Sequence, residues 1–221
     1  MRLTDISFAG WVAHVFNHDV RSPEWYFDPD SAYWDGSPDL TVAYLTRLFE
    51  NPGPYLQPYS NEQLNQGFWY LVSNSGSTHM FALLDEQVPQ EARIRCVRAF
   101  YPLFEKIFAK FCSPHLSHLD EPGANPLNTV CYMWWDIMPI FGMPDEQARR
   151  EFDREILAVM ERILRIDSPA CRESALHGLG HWQIYYPDRV HQIVDHFIAG
   201  YPGIRADLLN YAKQARAGCV L

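Results

Sequence analysis

The fold is decided by residues 144–165, PDEQARREFDREILAVMERILR. Its apolar side chains fall at Phe152, Ile156, Leu157, Met160, Ile163 and Leu164, three and four residues apart. Arg149, Glu151, Arg154, Glu155, Glu161 and Arg162 fill the positions around them. A period of 3.6 residues puts the apolar set on one face and the charges on the other, so this is an amphipathic helix. Pro144 followed by Asp145 and Glu146 reads as its start, because the helix dipole favours negative charge there. The pattern predicts a helix over 144–165.

The same period recurs on both sides. Ile94, Val97, Tyr101, Phe104, Ile107, Phe108 and Phe111 form one stripe, and Pro102 inside it should kink or split the helix. Val190, Ile193, Val194, Phe197 and Ile198 form another. Ser37-Pro38, Asn125-Pro126 and Ser168-Pro169 each place a capping side chain before a proline at the first helical position. Ser60 and Gln63 have capping-box spacing. Stops stand at Asn51-Pro52-Gly53-Pro54, Glu121-Pro122-Gly123, Gly142 and Gly200-Tyr201-Pro202-Gly203. The predicted helices are 5–18, 38–51, 60–86 (broken near Ser73–Ser77), 89–112, 125–138, 144–165, 168–185, 187–199 and 203–216. No alternating run reads as a strand. The expected class is all-α, one helical domain over 1–221 with an aromatic and acidic loop at 19–36 and a capping helix at 203–216.

The prolines at 126 and 169 lie 43 residues apart, within the ~40–47 range of HEAT and armadillo units. Helix pairs 125–138 with 144–165, and 168–185 with 187–199, would be two such units. Ala175, Leu176 and Leu179 resemble the small-apolar pattern of HEAT-like repeats. That resemblance, best in the C-terminal third, implies antiparallel helix pairs stacked as a short α-solenoid; an irregular helical bundle is the other arrangement. Ala170, Ser174 and Gly178 form a smooth strip at four-residue spacing, along which a neighbouring helix could approach closely. Packing is the favoured reason for Gly178 and Gly180, and close approach of a ligand to Gly180 the alternative.

The 221 residues carry 18 Lys and Arg against 27 Asp and Glu, a formal charge of −9. Phosphate contact needs clustered Lys and Arg, and no such run exists, so a nucleic-acid partner is not expected. No apolar stretch suggests a membrane span. The five cysteines are scattered without a C-x-x-C pair, and no signal-peptide pattern is present, so the expected compartment is the cytoplasm.

Few residues carry recognisable chemistry. There is no nucleophile elbow, Gly-rich phosphate loop or cofactor motif. Ser174 and His177 share a helix face without an orienting third group. Asp28, Asp30 and Asp35 do not make an EF-hand, because Ala32 and Tyr33 stand where a ligand and a glycine are required. His14 with His18, and His115 with His118, read as surface or capping residues. His177 and His181 are one turn apart, a spacing suited to metal ligation. If the next helix returns antiparallel, His191 and Asp195 complete a four-residue His/carboxylate set. The absence of a glutamate between His177 and His181 excludes the H-E-x-x-H protease motif.

The aromatics cluster: Trp25-Tyr26-Phe27, Tyr33-Trp34, Phe68-Trp69-Tyr70, Trp134-Trp135, and Trp182 with Tyr185-Tyr186. Adjacent residues on a helix cannot all face one core, so some rings are expected at a groove. Trp34, Trp69, Trp134, Trp135, Trp182 and Tyr185 are the candidates. The leading expectation is a non-enzymatic protein that binds another protein or peptide through an aromatic, acidic groove. A metal-binding protein using the His177/His181 region, with a hydrolase as one form of it, is the second. A helical bundle with a small-molecule pocket near Trp134 or Trp69 is the third.

Overall fold

A computed structural model describes residues 1–220, and the fold is all-α. Its helices are α1 (Phe8–Phe16), α2 (Pro38–Glu50), α3 (Gly53–Leu56), α4 (Asn61–Val72), α5 (Gln90–Leu103), α6 (Ala109–Phe111), α7 (Leu127–Ile137), α8 (Arg150–Ile163), α9 (Pro169–Trp182), α10 (Pro187–Gly200) and α11 (Ala206–Arg216). Among the described residues, no helix is long and apolar enough to cross a membrane. The strands that periodicity missed are two residues each: β1 (Arg2–Leu3) pairs in parallel with β2 (Tyr33–Trp34). Two residues are too few for alternation to show.

The expected caps form at α2, α4 and α9. The Ser37 and Ser168 hydroxyls accept the backbone N–H groups of Leu40 and Cys171. Ser60 and Gln63 close both halves of the capping box. At α7, Pro126 is itself the N-cap, and the Asn125 side chain accepts from the Leu127 amide. α4 ends at Val72, and the chain turns through Ser73–Ser77 into a short 3-10 helix, His79–Leu83. Pro102 brings α5 to an end at Leu103, and a π-helical segment, Phe104–Phe108, joins it to α6. The missing proline N–H is thus absorbed by a change of helical winding.

The helix expected from Pro144 begins instead at Arg150. The cause is Asp153, whose fully buried carboxylate accepts from the Met143 amide at 2.7 Å, the Tyr186 hydroxyl at 2.8 Å and Arg149 at 3.3 Å. A buried charge must be paired and hydrogen-bonded. Residues 143–149 fold around Asp153 as turns rather than extending the helix.

α9 is the centre of the C-terminal half. All of it is buried except Pro169 and His181. It packs against α7, α8, α10, α11 and the π segment. The smooth strip predicted on it faces α7. The Cys131 thiol donates to the Ala170 carbonyl, and the Ser174 hydroxyl donates to the Cys131 carbonyl. A Cβ on Gly178 would lie 2.6 Å from the Trp135 ring, and one on Gly180 2.5 Å from Val220. Both glycines therefore serve packing. Cys131 meets Ser174 and Trp135 meets Gly178, so α7 and α9 run parallel at the 43-residue offset that separates their prolines. α8 lies mainly on α5 and α9, and α10 mainly on α11 and α9.

Trp134 anchors the core. Its fully buried ring meets Phe49, Phe68, Phe100, Phe104 and Phe108, each at 5.6–6.0 Å and in edge-to-face contact. Such pairs add about 0.5–1.5 kcal/mol each beyond the area they bury.

Candidate functional site

Two one-turn pairs meet where α7 and α9 run side by side. Tyr132 and Asp136 lie on one face of α7, and His177 and His181 on the facing side of α9. The Tyr132 and His177 rings are 4.3 Å apart. The His177 and His181 Nε2 atoms stand 3.2 Å apart, and His181 Nε2 is 3.5 Å from Asp136 Oδ1. One ligand atom from each of Asp136, His177 and His181 falls within 4.8 Å of the others. Among the described residues this is the one such convergence of His, Cys, Asp and Glu side chains.

α11 supplies the next layer. His177 Nδ1 is 2.6 Å from the Tyr211 hydroxyl, which is 3.0 Å from the Tyr132 hydroxyl. The bonds are satisfied together when His177 Nδ1–H donates to Tyr211 and Tyr211 donates to Tyr132. His177 Nε2 is then an acceptor, and His181 Nε2–H points to it. Burial, with His181 and His118 nearby, lowers the His177 pKa to about 3, so the ring is neutral at physiological pH. His177 is buried, His181 half-buried and Asp136 exposed, so the cluster runs from the interior to solvent.

Behind Tyr211 lies a second polar pair. The His118 ring stacks on Tyr211 at 4.1 Å, and its Nδ1 is 2.6 Å from Glu173 Oε1. Glu173 is fully buried on α9 and also accepts the Ser117 and His118 amides at 2.9 Å. Its carboxyl pKa is raised by burial, against the pull of these donors. His118 is therefore an internal partner of Glu173 and not the surface or capping residue its loop position suggested. Neither Glu173, Tyr211 nor Asp136 stands out in the sequence. The signal for Asp136 was its one-turn spacing from Tyr132 on the helix that faces the smooth strip.

The other half of the predicted histidine set lies elsewhere. Asp195 is exposed and paired in bidentate fashion with Arg216 at 2.7 and 3.0 Å. His191 is on the same helix, and neither joins the convergent group. The place beside His177 is taken by Tyr211 of α11 and Tyr132 of α7. Ser174 is likewise turned away, its hydroxyl used on the Cys131 carbonyl.

Four of the six aromatic candidates are core residues, which corrects their placement at a groove. Trp134 and Trp135 are buried, the latter stacked on Phe104. Trp34 is buried and stacked on Tyr44, and Trp182 is buried and stacked on Tyr186. Neighbouring elements enclose both Trp134 and Trp135, which a single amphipathic helix could not do. Trp69 is half-buried and lines an open cavity. Tyr185 is half-buried between Phe141 and Gly142.

No protein-family model matches the sequence, and no curated protein or solved structure is significantly similar to it.

Proposed function

We propose that the protein binds a divalent transition-metal ion, zinc foremost, through His177 Nε2, His181 Nε2 and the Asp136 carboxylate. The convergence of those three groups carries the reading. Zinc–nitrogen bonds of ~2.0–2.1 Å in a tetrahedron put neighbouring ligand atoms ~3.3–3.4 Å apart. The two short separations, 3.2 and 3.5 Å, bracket that edge. Asp136 is exposed and has room to swing toward His177. A ligating imidazole normally gives its other N–H to a fixed acceptor, which sets tautomer and orientation. The Tyr211 hydroxyl stands in that position for His177.

Three protein ligands leave a coordination position toward solvent. That is the arrangement of zinc sites that activate water rather than of closed structural sites. Water activation for hydrolysis is the reaction class that fits. The test is metal content of tag-free protein, with calorimetric titration of Zn²⁺ and the visible spectrum of the Co²⁺ form. One ion per chain and a tetrahedral cobalt spectrum are expected. His181→Ala, at a half-buried position the core does not need, should remove both. Wild-type protein that takes up neither ion stoichiometrically would end the proposal.

A further inference from the structure

We propose that Cys112 and Cys131 form a reversible thiol–disulfide site, oxidised through Cys112 by a hydroperoxide. Three of the five cysteines, scattered in the sequence, meet in the fold: Cys112 at the end of α6, Cys131 on α7 and Cys171 on α9. The Cys131 sulfur is the middle one, within hydrogen-bonding reach of the Cys112 and Cys171 thiols. Hydrogen bonds fix the group from both sides. Asn128 is buried one turn before Cys131 on α7 and accepts the Ser113 amide and hydroxyl at 3.0 and 3.1 Å. Its own amide donates to the Ser113 and His115 carbonyls at 3.0 and 3.1 Å. The chain at 112–113 is thereby held against the face of α7 that carries Cys131. Toward α9, the Cys131 thiol reaches the Ala170 carbonyl at 3.8 Å, next to Cys171, whose own thiol reaches the Phe104 carbonyl at 3.8 Å.

Exposure assigns the roles. Cys112 is half-buried, whereas Cys131 and Cys171 are fully buried, so an oxidant in solution meets Cys112 first. Burial, and then the two neighbouring thiols, hold the Cys131 proton well above the usual thiol range, so this sulfur resolves rather than initiates. In the first step the Cys112 sulfur attacks the peroxide. An S–O bond forms, the O–O bond breaks, and the departing oxygen takes the thiol proton, leaving a sulfenic acid and water or an alcohol. In the second step the Cys131 sulfur attacks the Cys112 sulfur. The S–S bond forms, the S–O bond breaks, and hydroxide leaves with the Cys131 proton as water. Two electrons pass from the sulfur pair to the peroxide. Because the two sulfurs are held side by side, the second step outruns further oxidation of Cys112. A dithiol reductant restores both thiols by exchange.

The experiment exposes full-length Cys219→Ser protein to hydrogen peroxide in chelator. Thiols are then blocked with N-ethylmaleimide in denaturant, and the peptides are mapped by mass spectrometry. Free thiols should fall from four, the five less Cys219, to two. The chain should stay monomeric and yield a linked Cys112–Cys131 peptide, and dithiothreitol should return both thiols. Cys112→Ser should leave Cys131 and Cys171 reduced under the same treatment. Cys131→Ala should stop at a Cys112 sulfenic acid that dimedone traps. The peptide map of the Cys219→Ser protein decides the question by itself, whether or not the buried Cys131→Ala variant folds. Three results would overturn the proposal. One is Cys112 carried to sulfinic or sulfonic acid with Cys131 still free. Another is a disulfide that omits Cys112 or joins it to a second chain. The third is retention of all four thiols at a peroxide dose that oxidises Cys219 in the wild-type protein.

Discussion

Between pH 7 and pH 5 the protein should lose about 2 kcal/mol of stability through His79 alone. His79 is buried, and its Nε2 accepts the Trp11 indole N–H at 3.0 Å. Its Nδ1–H must then donate to the Ser77 hydroxyl, 2.7 Å away. Adding a proton at Nε2 would set two N–H donors against each other in a pocket walled by Trp11, Trp34 and Tyr70. Burial, with a smaller contribution from His14, therefore lowers the His79 pKa from 6.5 to about 3. A base with a depressed folded pKa binds its proton first in the unfolded chain, so stability falls as pH drops from about 6.5 toward 3. At pH 5 the unfolded ring is protonated and the folded one is not. The gap of 1.5 units below the unfolded value, at about 1.4 kcal/mol per unit, gives the 2 kcal/mol.

The assay is urea unfolding in chelator at both pH values, on wild-type protein and His79→Gln. The glutamine Oε1 can still accept from Trp11, but it does not titrate. His14, lowered to about 4 by burial and by His18, adds a loss of the same sign in both proteins and drops out of the comparison. The variant should start less stable and lose about 2 kcal/mol less between pH 7 and pH 5. Equal losses in the two proteins would show that His79 is not held neutral by this pocket.

Other consequences are as direct. Tyr211→Phe should weaken zinc by about tenfold or more while His177 and His181 remain, because the outer partner of His177 is gone; an unchanged calorimetric affinity would show that Tyr211 does not orient it. Trp134→Ala should cost about 3–5 kcal/mol in urea unfolding, as five phenylalanine rings lose their common partner. A thiol reagent on native protein at pH 8 should label exposed Cys219 quickly and half-buried Cys112 slowly. Buried Cys96, whose thiol burial raises to about 12, should react only on unfolding, as should buried Cys131 and Cys171; rapid labelling of more than two thiols would contradict the burial.

Gly178→Ala sets two known effects against each other, and the geometry decides between them. Alanine favours a helix interior by up to about 1 kcal/mol over glycine. The added Cβ would stand 2.6 and 2.8 Å from Trp135 atoms and 2.9 Å from Met160 Sδ. The indole is itself packed against Phe100 and Phe104, so it has nowhere to retreat. Overpacking of this kind costs about 1–3 kcal/mol, and net destabilisation is expected. Gly200, at the end of α10, has nothing within 4 Å of its Cβ position, and Gly200→Ala should be neutral or slightly stabilising. If both variants gain stability, the close approach of α7 and α9 is wrong.

That approach also explains what the sequence disclosed and what it withheld. The stripe Phe152–Leu164 and the caps at Ser37, Ser60 and Ser168 announce helices, because propensity, periodicity and capping act within a few residues of the chain. The strip Ala170–Ser174–Gly178 and the 43-residue proline spacing announce a close helix contact, since small side chains at four-residue intervals have few other uses. Neither says which helix arrives. Asp136 is an ordinary exposed carboxylate until the register Cys131–Ser174 and Trp135–Gly178 is known. The same register then carries the α7 face from Tyr132 to Asp136 onto His177 and His181. His191 and Asp195 had an equally good helical spacing and no such register, and Arg216 claimed the carboxylate. The Trp134-Trp135 pair fails as evidence for a groove for a related reason. One helix cannot bury both rings, but α7 has neighbours on two sides, α4 and α9. A one-turn pair of ligands is common in helices. What raises His177 and His181 above the rest is that the packing glycine one residue beyond His177 fixes the helix opposite, so a single contact both closes the core and assembles the site.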